Sequence, residues 1–343
     1  MSTLSVVVVT HDSREAVTRT LPALRAELRE GDELIVVDNA SSDGTAAAVG
    51  ELAPGATVVE TGANLGFAAA CNRGATVAAG ELLCLLNPDA VPAAGWREAI
   101  AAPHEQGRGW AAWQALVTAE DGRVVNTAGG VVHFTGIAWA GQAGRPVAEA
   151  SLDGEPGFVS GACLVMRRAN FDAAGSLPDE FFLYHEDVDL SLRLRLAGGT
   201  LGVAAQARVD HDYEFHKGPA KWRHLERNRW ASLIRTYPAA LLAVLAPALL
   251  ATELALLAVA IAGGWLPQKL LAGWDVVRWL PRLLRERREI MGRREVSARA
   301  FAEGLSPGLD SPFLGAVGRS ALVGRLLGAY WRGALFLLGL GRG

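Results

Sequence analysis

Leu4-Ser5-Val6-Val7-Val8-Val9-Thr10 is an unbroken, mostly β-branched run, the pattern of a strand buried on both faces. Ser13 then stands where it can cap a helix whose apolar positions Val17, Leu21, Leu24 and Leu28 recur at helical spacing. Leu34-Ile35-Val36-Val37 reads as a second buried strand ending at Asp38-Asn39, and Ser41-Ser42-Asp43-Gly44-Thr45 opens a second helix. Thr57-Val58-Val59-Glu60 is a third strand. Residues 62–66 form a glycine turn, 67–77 a third helix, and Leu82-Leu83-Cys84-Leu85-Leu86 a fourth strand stopped by Asn87-Pro88. Strands alternating with helices at this spacing predict a doubly wound α/β domain with a mostly parallel sheet flanked by helices.

Beyond this repeat the pattern loosens. Between residues 110 and 166 glycines are frequent and the β-like pieces are short, which predicts mixed strands and long loops within the same domain. A helix begun near Glu186 continues through 190–196 and ends at Gly198-Gly199. After Pro238 the character changes again, and the chain divides into a catalytic part, 1–237, and a helical region, 238–343. Residues 239–265 are almost wholly apolar, broken by Pro247 and Glu253. A spanning helix needs roughly 20 apolar residues, and a carboxylate in lipid is costly unless paired. Three readings follow: one span, a re-entrant hairpin kinked at Pro247, or a helix pair lying in the membrane plane. Leu270, Trp274, Val277, Trp279, Leu280 and Leu283 among arginines make an interfacial pattern, and residues 313–340 repeat the mixture.

With 343 residues the chain can bury one large domain plus an appendage. Half of the residues are hydrophobic and the net charge is -3. Seven arginines against two glutamates between Arg278 and Arg294 lie beside apolar segments, which points to a membrane surface and away from nucleic acid. Cys71, Cys84 and Cys163 have no metal-ligand spacing and read as buried, reduced packing residues. The 4–9 run is too short for a signal peptide and lacks a basic flank, so the catalytic part is expected in the cytoplasm, at the inner face of the cell membrane.

In an open α/β sheet, ligands sit at the carboxyl ends of the strands, where Thr10, Asp38 and Asn87-Pro88-Asp89 fall. Asp38 can accept hydrogen bonds from a base or a ribose hydroxyl, or stabilise its own turn with Asn39. Gly62-Ala63-Asn64-Leu65-Gly66 resembles a phosphate-cradling loop whose donors at a helix start can face a nucleotide, although it is not GxGxxG. Asp89, with substrate oxygens, can hold Mg²⁺ or Mn²⁺; the alternative is a simple Asn-Pro-Asp turn. The acidic cluster Tyr184-His185-Glu186-Asp187-Val188-Asp189 places 186 and 189 on one helix side and 187 elsewhere. Acids complement a helix start, but three in four residues beside a histidine exceed what capping needs; salt bridging toward Arg193 is the alternative. His211 and His216 near acids form a candidate metal neighbourhood. The basic run 217–229, with Trp222 and Trp230, is either a solvated helix face or a clamp for a diphosphate or lipid phosphate.

Taken in order, these segments resemble family 2 glycosyltransferases of the GT-A fold, especially the bacterial rhamnosyltransferase-like branch. The matching pieces run from the Val6-Val7-Val8-Val9-Thr10 strand through Val37-Asp38-Asn39-Ala40-Ser41, Asn64-Leu65-Gly66-Phe67, Asn72-Arg73-Gly74 and Leu86-Asn87-Pro88-Asp89. They continue with Val159-Ser160-Gly161-Ala162-Cys163 and Tyr184-His185-Glu186-Asp187-Val188-Asp189 and end at His211. The apolar C-terminal third resembles the membrane-associated tail of some relatives. The resemblance implies that Asp38 binds the nucleoside with Thr10 lining the same pocket, and that Asn64, Gly66, Asn72 and Asn87 belong to the nucleotide-sugar site. It implies that Asp89 is the surviving acid of a DxD-type metal motif, with His211 a further ligand to Mn²⁺ or Mg²⁺. Asp187 would be the catalytic base, with Glu186 orienting it or the acceptor. Asn87 departs from the family pattern, standing where the first acid of that motif is expected, and His11-Asp12 replaces the more usual aromatic and Asn.

These roles imply transfer of a sugar, rhamnose where the resemblance to that branch holds, from a dTDP- or UDP-sugar to a hydroxyl of a lipid-linked or cell-envelope glycan. One well-placed base and no second nucleophile make single displacement with inversion the economical mechanism. A nucleotidyltransferase or a dinucleotide-dependent dehydrogenase would need a Gly-rich signature after the first strand, where Val9-Thr10-His11-Asp12-Ser13 stands instead. The remaining alternative is a non-catalytic membrane-bound scaffold that binds nucleotide sugars, expected to have lost Asp187 or Asp89; both acids are present.

Overall fold

The computed structural model describes residues 2–211, 218–309 and 320–340. In chain order the first elements are β1 (Leu4–Thr10), α1 (Arg14–Glu27), β2 (Glu33–Asp38), α2 (Thr45–Leu52), β3 (Thr57–Glu60), α3 (Phe67–Val77) and β4 (Leu82–Leu86). Next come β5 (Val91–Pro92), α4 (Trp96–Glu105), β6 (Trp110–Ala119), β7 (Val124–Thr127), β8 (Gly130–Val132) and β9 (Ala138–Ala140). β10 (Cys163–Arg167), α5 (Arg168–Ala174), α6 (Glu186–Leu196) and β11 (Thr200–Asp210) follow. The remaining helices are α7 (Ala220–Thr236), α8 (Ala239–Ala262), α9 (Leu266–Gly292), α10 (Ala298–Glu303) and α11 (Ala321–Leu340). Two compact units result: one of residues 1–130, 140–191 and 199–213, the other of 131–139, 192–198 and 214–343.

The first unit is built on a sheet of order β3-β2-β1-β4-β10-β6-β11-β5, with β7 paired to β6. The first four strands are parallel, as the alternating pattern predicts. β10 inserts antiparallel between β4 and β6, β11 runs parallel to β6, and β5 and β7 add antiparallel edges, so the sheet as a whole is mixed. The physical reason lies in residues 87–162, which hold no βαβ crossover between β4 and β10. All seven β1 residues are buried. Val6 and Val8 pack with Val17, Leu21 and Leu24 of α1. On the opposite face Gly74 lets α3 lie against β1 and β2, since a Cβ there would come within 2.4 Å of Val7 and 3.0 Å of Val37.

The helix starts are wired across the strand ends. Ser13 precedes α1, but its hydroxyl donates back to the His11 carbonyl and makes no helix cap. Asp43 serves instead, accepting from Arg14 N at 2.9 Å and from Thr45 N at 2.9 Å, so one carboxylate caps both α1 and α2.

In the second unit, α8 is one continuous 24-residue helix that runs through Pro247, so the hairpin kinked at Pro247 is not formed. Glu253 is paired, accepting from Arg229 and, at 2.7 Å, from Lys269. The basic run is not a solvated face either: Lys221, Arg227 and Arg229 of α7 are buried. Arg229 also binds Glu226 and the Thr135 carbonyl, while Arg223 forks onto Asp275 at 2.7 and 2.8 Å. Sequence spacing hides most of this, because Glu253 and Asp275 come from α8 and α9, far along the chain. Trp222 stacks on Trp265 at 5.0 Å, where α9 begins.

Candidate active site

Thr10, Asp38 and Asn87 stand at the carboxyl ends of adjacent strands β1, β2 and β4. Asp38 is 6 % exposed. Its Oδ1 accepts from the Thr10 hydroxyl at 3.0 Å and the Ser41 hydroxyl at 2.6 Å, and its Oδ2 accepts from Ser41 N at 3.2 Å. The carboxylate therefore stabilises its own turn, and a carboxylate's four lone-pair sites leave capacity for one more donor. Asn39, which sequence reading placed in the turn with Asp38, also ties this turn to the glycine loop. Its amide donates to Asn64 at 3.0 Å and to the Gly66 carbonyl at 3.3 Å, and its Oδ1 accepts from Leu65 N at 2.9 Å.

Gly66 has φ +82°, and a Cβ there would lie 2.5 Å from the Phe182 carbonyl oxygen. That carbonyl takes the first two N–H groups of α3, Phe67 N at 2.6 Å and Ala68 N at 3.4 Å. The helix-start donors expected to face a nucleotide are thus turned onto the segment leading to the acidic cluster. Asn72 is engaged in the same way. It donates to the Leu177 carbonyl at 2.8 Å and to Asp179 at 2.6 Å, and accepts from Leu177 N at 3.0 Å. A groove alongside is lined by Leu65, Ala69, Asn72, Arg73, Asp179 and Glu180, among others.

The chain between this strut and α6 is backbone-strained: Phe182, Tyr184 and His185 have φ of 62°, 70° and 70°, and such non-glycine clusters gather at functional sites. α6 then begins at Glu186. Asp187 Oδ2 accepts from Gly161 N at 3.0 Å, and its Oδ1 from Val188 N at 2.8 Å. Glu186 is 6 % exposed and its Oε2 has no hydrogen-bond partner among the described residues. Burial, then the neighbouring Asp187 charge, pushes Glu186 up to about 8; burial also raises Asp187, against its backbone donors. Burial beside a second carboxylate therefore favours the protonated form of Glu186.

His211, just past β11, is 3 % exposed. Its Nε2 lies 3.1 Å from Asp89 Oδ1 and 3.4 Å from Asn87 Nδ2. Its backbone is fixed by the Thr118 carbonyl at 2.8 Å and by Asn126, which donates to the His211 carbonyl at 2.7 Å. The structure therefore brings together Asn87, Asp89 and His211. The turn at 160–162 joins them to Asp187: Asn87 N donates to the Ala162 carbonyl at 3.1 Å, while Gly161 N donates to the Asp187 carboxylate. His216 lies outside the described residues. Among the described residues no cluster of three His, Cys, Asp or Glu side chains forms a closed cage. A carboxylate and an imidazole beside a neutral amide fit a cation that takes its remaining ligands from substrate oxygens and water.

Gly161 and Phe182 were missed because backbone groups carry no residue-type signature. The one available signal was their place inside quoted motifs.

Residues 5–174 match the family model described as "Glycosyl transferase family 2". N-acetylglucosaminyl-diphospho-decaprenol L-rhamnosyltransferase of Mycobacterium tuberculosis is 29% identical over 256 residues, covering 67% of this chain and 83% of that protein. Among solved structures, mannosyltransferase PcManGT from Pyrobaculum calidifontis in complex with GDP-Man and Mn2+ is 20% identical, with 84% of this chain and 85% of that chain covered and a TM-score of 0.51. GalNAc-T7 with UDP, GalNAc and Mn2+ is 16% identical over 71% of this chain, with a TM-score of 0.57, and this chain covers 50% of its length.

Proposed function

The chain belongs to glycosyl transferase family 2 and is a glycosyltransferase of GT-A fold, and from that premise we propose that it transfers rhamnose or a related sugar, with inversion, from a nucleoside-diphosphate donor to a hydroxyl of a polyprenyl-diphosphate-linked sugar. The acceptor class is supported by the mycobacterial relative, which is named for N-acetylglucosaminyl-diphospho-decaprenol. The single observation that carries the site reading is the 160–162 turn, which binds Asn87 on one side and Asp187 on the other.

In this reading Asp187 removes the proton of the acceptor hydroxyl as that oxygen attacks the anomeric carbon. Its burial raises its basicity while two backbone N–H groups fix its orientation, which suits a general base working near neutral pH. Glu186, protonated beside it, keeps a second negative charge away from the base and offers an O–H to the acceptor. Asp38, with Thr10, receives the nucleoside through its remaining lone pair. Asn39 holds Asn64 and Gly66 in place behind it, and Asn72 braces the 177–182 segment. Asp89 and His211, with the Asn87 amide oxygen, would hold Mn²⁺ or Mg²⁺. Such a cation offsets charge on the departing diphosphate when bound.

The second unit supports a membrane location. Fifteen of the 17 large hydrophobic residues exposed among the described ones lie in α8, α9 and α11. α8 and α11 are each long and apolar enough to cross a bilayer.

The test is transfer itself. Full-length enzyme is incubated with Mn²⁺, an N-acetylglucosaminyl-diphospho-polyprenol and a panel of dTDP-, UDP- and GDP-sugars, and released nucleoside diphosphate and glycolipid product are measured. Product with a deoxyhexose donor is expected. No release from any donor with any polyprenyl-linked acceptor rejects the reading.

A further inference from the structure

We propose that α8, α9 and α11 do not cross the bilayer but lie in its interface, apolar stripes down, on an anionic leaflet. The proposal rests on the membrane part of the reading above and decides its topology.

The first argument is the partner set of α8. Glu253 sits near the middle of the helix and is bound by Arg229 and Lys269. Both bases also bind Glu226, and Arg229 reaches the Thr135 carbonyl. Were α8 to span, its midpoint would carry this four-charge network, and the α7 helix that holds it, into hydrocarbon. Charged groups are tolerated there only at high cost. An in-plane helix keeps the network on the protein side and leaves only the exposed flank to lipid. That flank is apolar, with Leu250 64 % and Leu254 61 % exposed.

The second argument is α9, which carries an apolar stripe on the side opposite its buried one. Ala272, Asp275 and Leu283 face inward. Leu270, Trp274, Val277, Pro281 and Leu284 follow one another in steps of four and three, which at 3.6 residues per turn puts them on one line. All five are exposed. α11 repeats the device with Leu322, Leu326, Phe336 and Leu340 outward and Trp331, Ala334 and Leu338 inward. The two helices expose these stripes on one unit, and Tyr330 of α11 donates to the Val244 carbonyl of α8 at 2.5 Å.

Charge selects the occupant. Of the acids of α8 and α9, Glu289 is exposed, while Glu253, Asp275 and Glu286 are turned onto bases, namely Arg229 and Lys269, Arg223, and Arg235 with Arg282. Arg278, Arg285, Arg288, Arg325 and Arg332, by contrast, are exposed beside the stripes. Apolar residues flanked by outward arginines match an anionic lipid surface, where the side chains reach headgroups while the stripe enters the acyl boundary.

The experiment has two arms on the full chain. Single cysteines are placed at Ala243, Leu250, Leu254 and Ile261 along α8 and labelled with an environment-sensitive fluorophore; the native thiols are buried. Depth in vesicles is read by lipids carrying quenchers at set positions. A uniform shallow depth is expected. A deep centre with shallow ends means that α8 spans and overturns the proposal. In the second arm, flotation compares phosphatidylcholine vesicles with vesicles containing phosphatidylglycerol. Anionic lipid should raise binding at least tenfold at low salt, and Arg278→Glu with Arg285→Glu should remove that gain while the circular dichroism spectrum is unchanged. Equal binding to both vesicles overturns the headgroup role. Concentration-dependent self-association without vesicle binding assigns the stripes to a second copy and also overturns it. Sugar transfer is assayed separately in detergent, so loss of vesicle binding with retained transfer rejects this proposal alone.

Discussion

Gly161 donates its backbone N–H to Asp187 across 3.0 Å. The glycine lies one residue from Ala162, whose carbonyl accepts the N–H of Asn87. A three-residue turn thus relates the first residue of the Asn-Pro-Asp corner to the proposed base, and ordinary backbone hydrogen bonds set the register between them.

Asp187→Asn preserves the shape and, through its single side-chain oxygen, one of the two backbone hydrogen bonds, but removes the basic site. Transfer should fall by about 10²–10⁴-fold, the usual contribution of a general base, while donor binding measured by calorimetry stays within a factor of about three. Unchanged turnover in this variant removes Asp187 from the mechanism.

Glu186 is raised in the folded chain from 4.5 to about 8 by burial, with Asp187 next to it. For a carboxyl group raised on folding, the native state binds the proton more tightly. The associated stability is complete below about 4.5 and is lost as pH rises through about 8. The thermal midpoint of the wild type should therefore fall across that window. Glu186→Gln, neutral throughout, should flatten the fall. A wild-type midpoint independent of pH from 5 to 8 contradicts the protonated state assigned here.

The Asp89–His211 contact at 3.1 Å predicts how the cation site responds to charge. Asp89→Ala should abolish Mn²⁺ binding measured by calorimetry in the presence of a nucleoside diphosphate. Asn87→Asp adds a hard anionic ligand and should tighten it by about tenfold, because ligand charge count tunes such sites. Tightening by Asn87→Asp would also separate this corner from a purely structural turn, which has no reason to prefer an acid.

How much of this was legible in the chain follows from where each signal resides. The β1, β2 and β4 strands were readable because each is a buried apolar run bounded by turn residues, and the acidic cluster was readable because three acids in four residues exceed capping needs. The antiparallel insertion of β10 was not, since pairing across the 76 residues between Leu86 and Cys163 leaves no local periodicity. Asn72 was placed in the nucleotide-sugar site by the family resemblance of its motif, and its role as a brace had no local signal. Its partners, Leu177 and Asp179, are more than a hundred residues away. The basic α7 run looked solvated for a related reason, as Glu253 and Asp275 reach it from later helices.

Gly66→Ala tests the link between the glycine loop and the acidic segment. The new Cβ would lie 2.5 Å from the Phe182 oxygen and at φ +82°, so either the backbone strains or Phe182 withdraws from the start of α3. Strain of this kind costs about 1–3 kcal/mol. The variant should lose that much stability to urea and show faster hydrogen exchange at Phe67 and Ala68. Exchange unchanged at both amides would mean that the carbonyl cap does not form in solution.

Arg229 is fully enclosed and binds Glu226, Glu253 and the Thr135 carbonyl. Replacing it with Met leaves Glu226 buried with only Lys269 to compensate and Glu253 sharing the same ammonium. Breaking a buried pair from one side typically costs about 3–5 kcal/mol. Replacing Glu226 with Leu in the same chain removes the stranded charge, and Lys269 then pairs with Glu253 alone. The double variant Arg229→Met/Glu226→Leu should therefore recover at least half of the loss seen for Arg229→Met in denaturant titration. A double variant no more stable than the single one would show that Arg229 acts mainly by packing and by its bond to Thr135, and that the ionic network is not what holds α7 to α8.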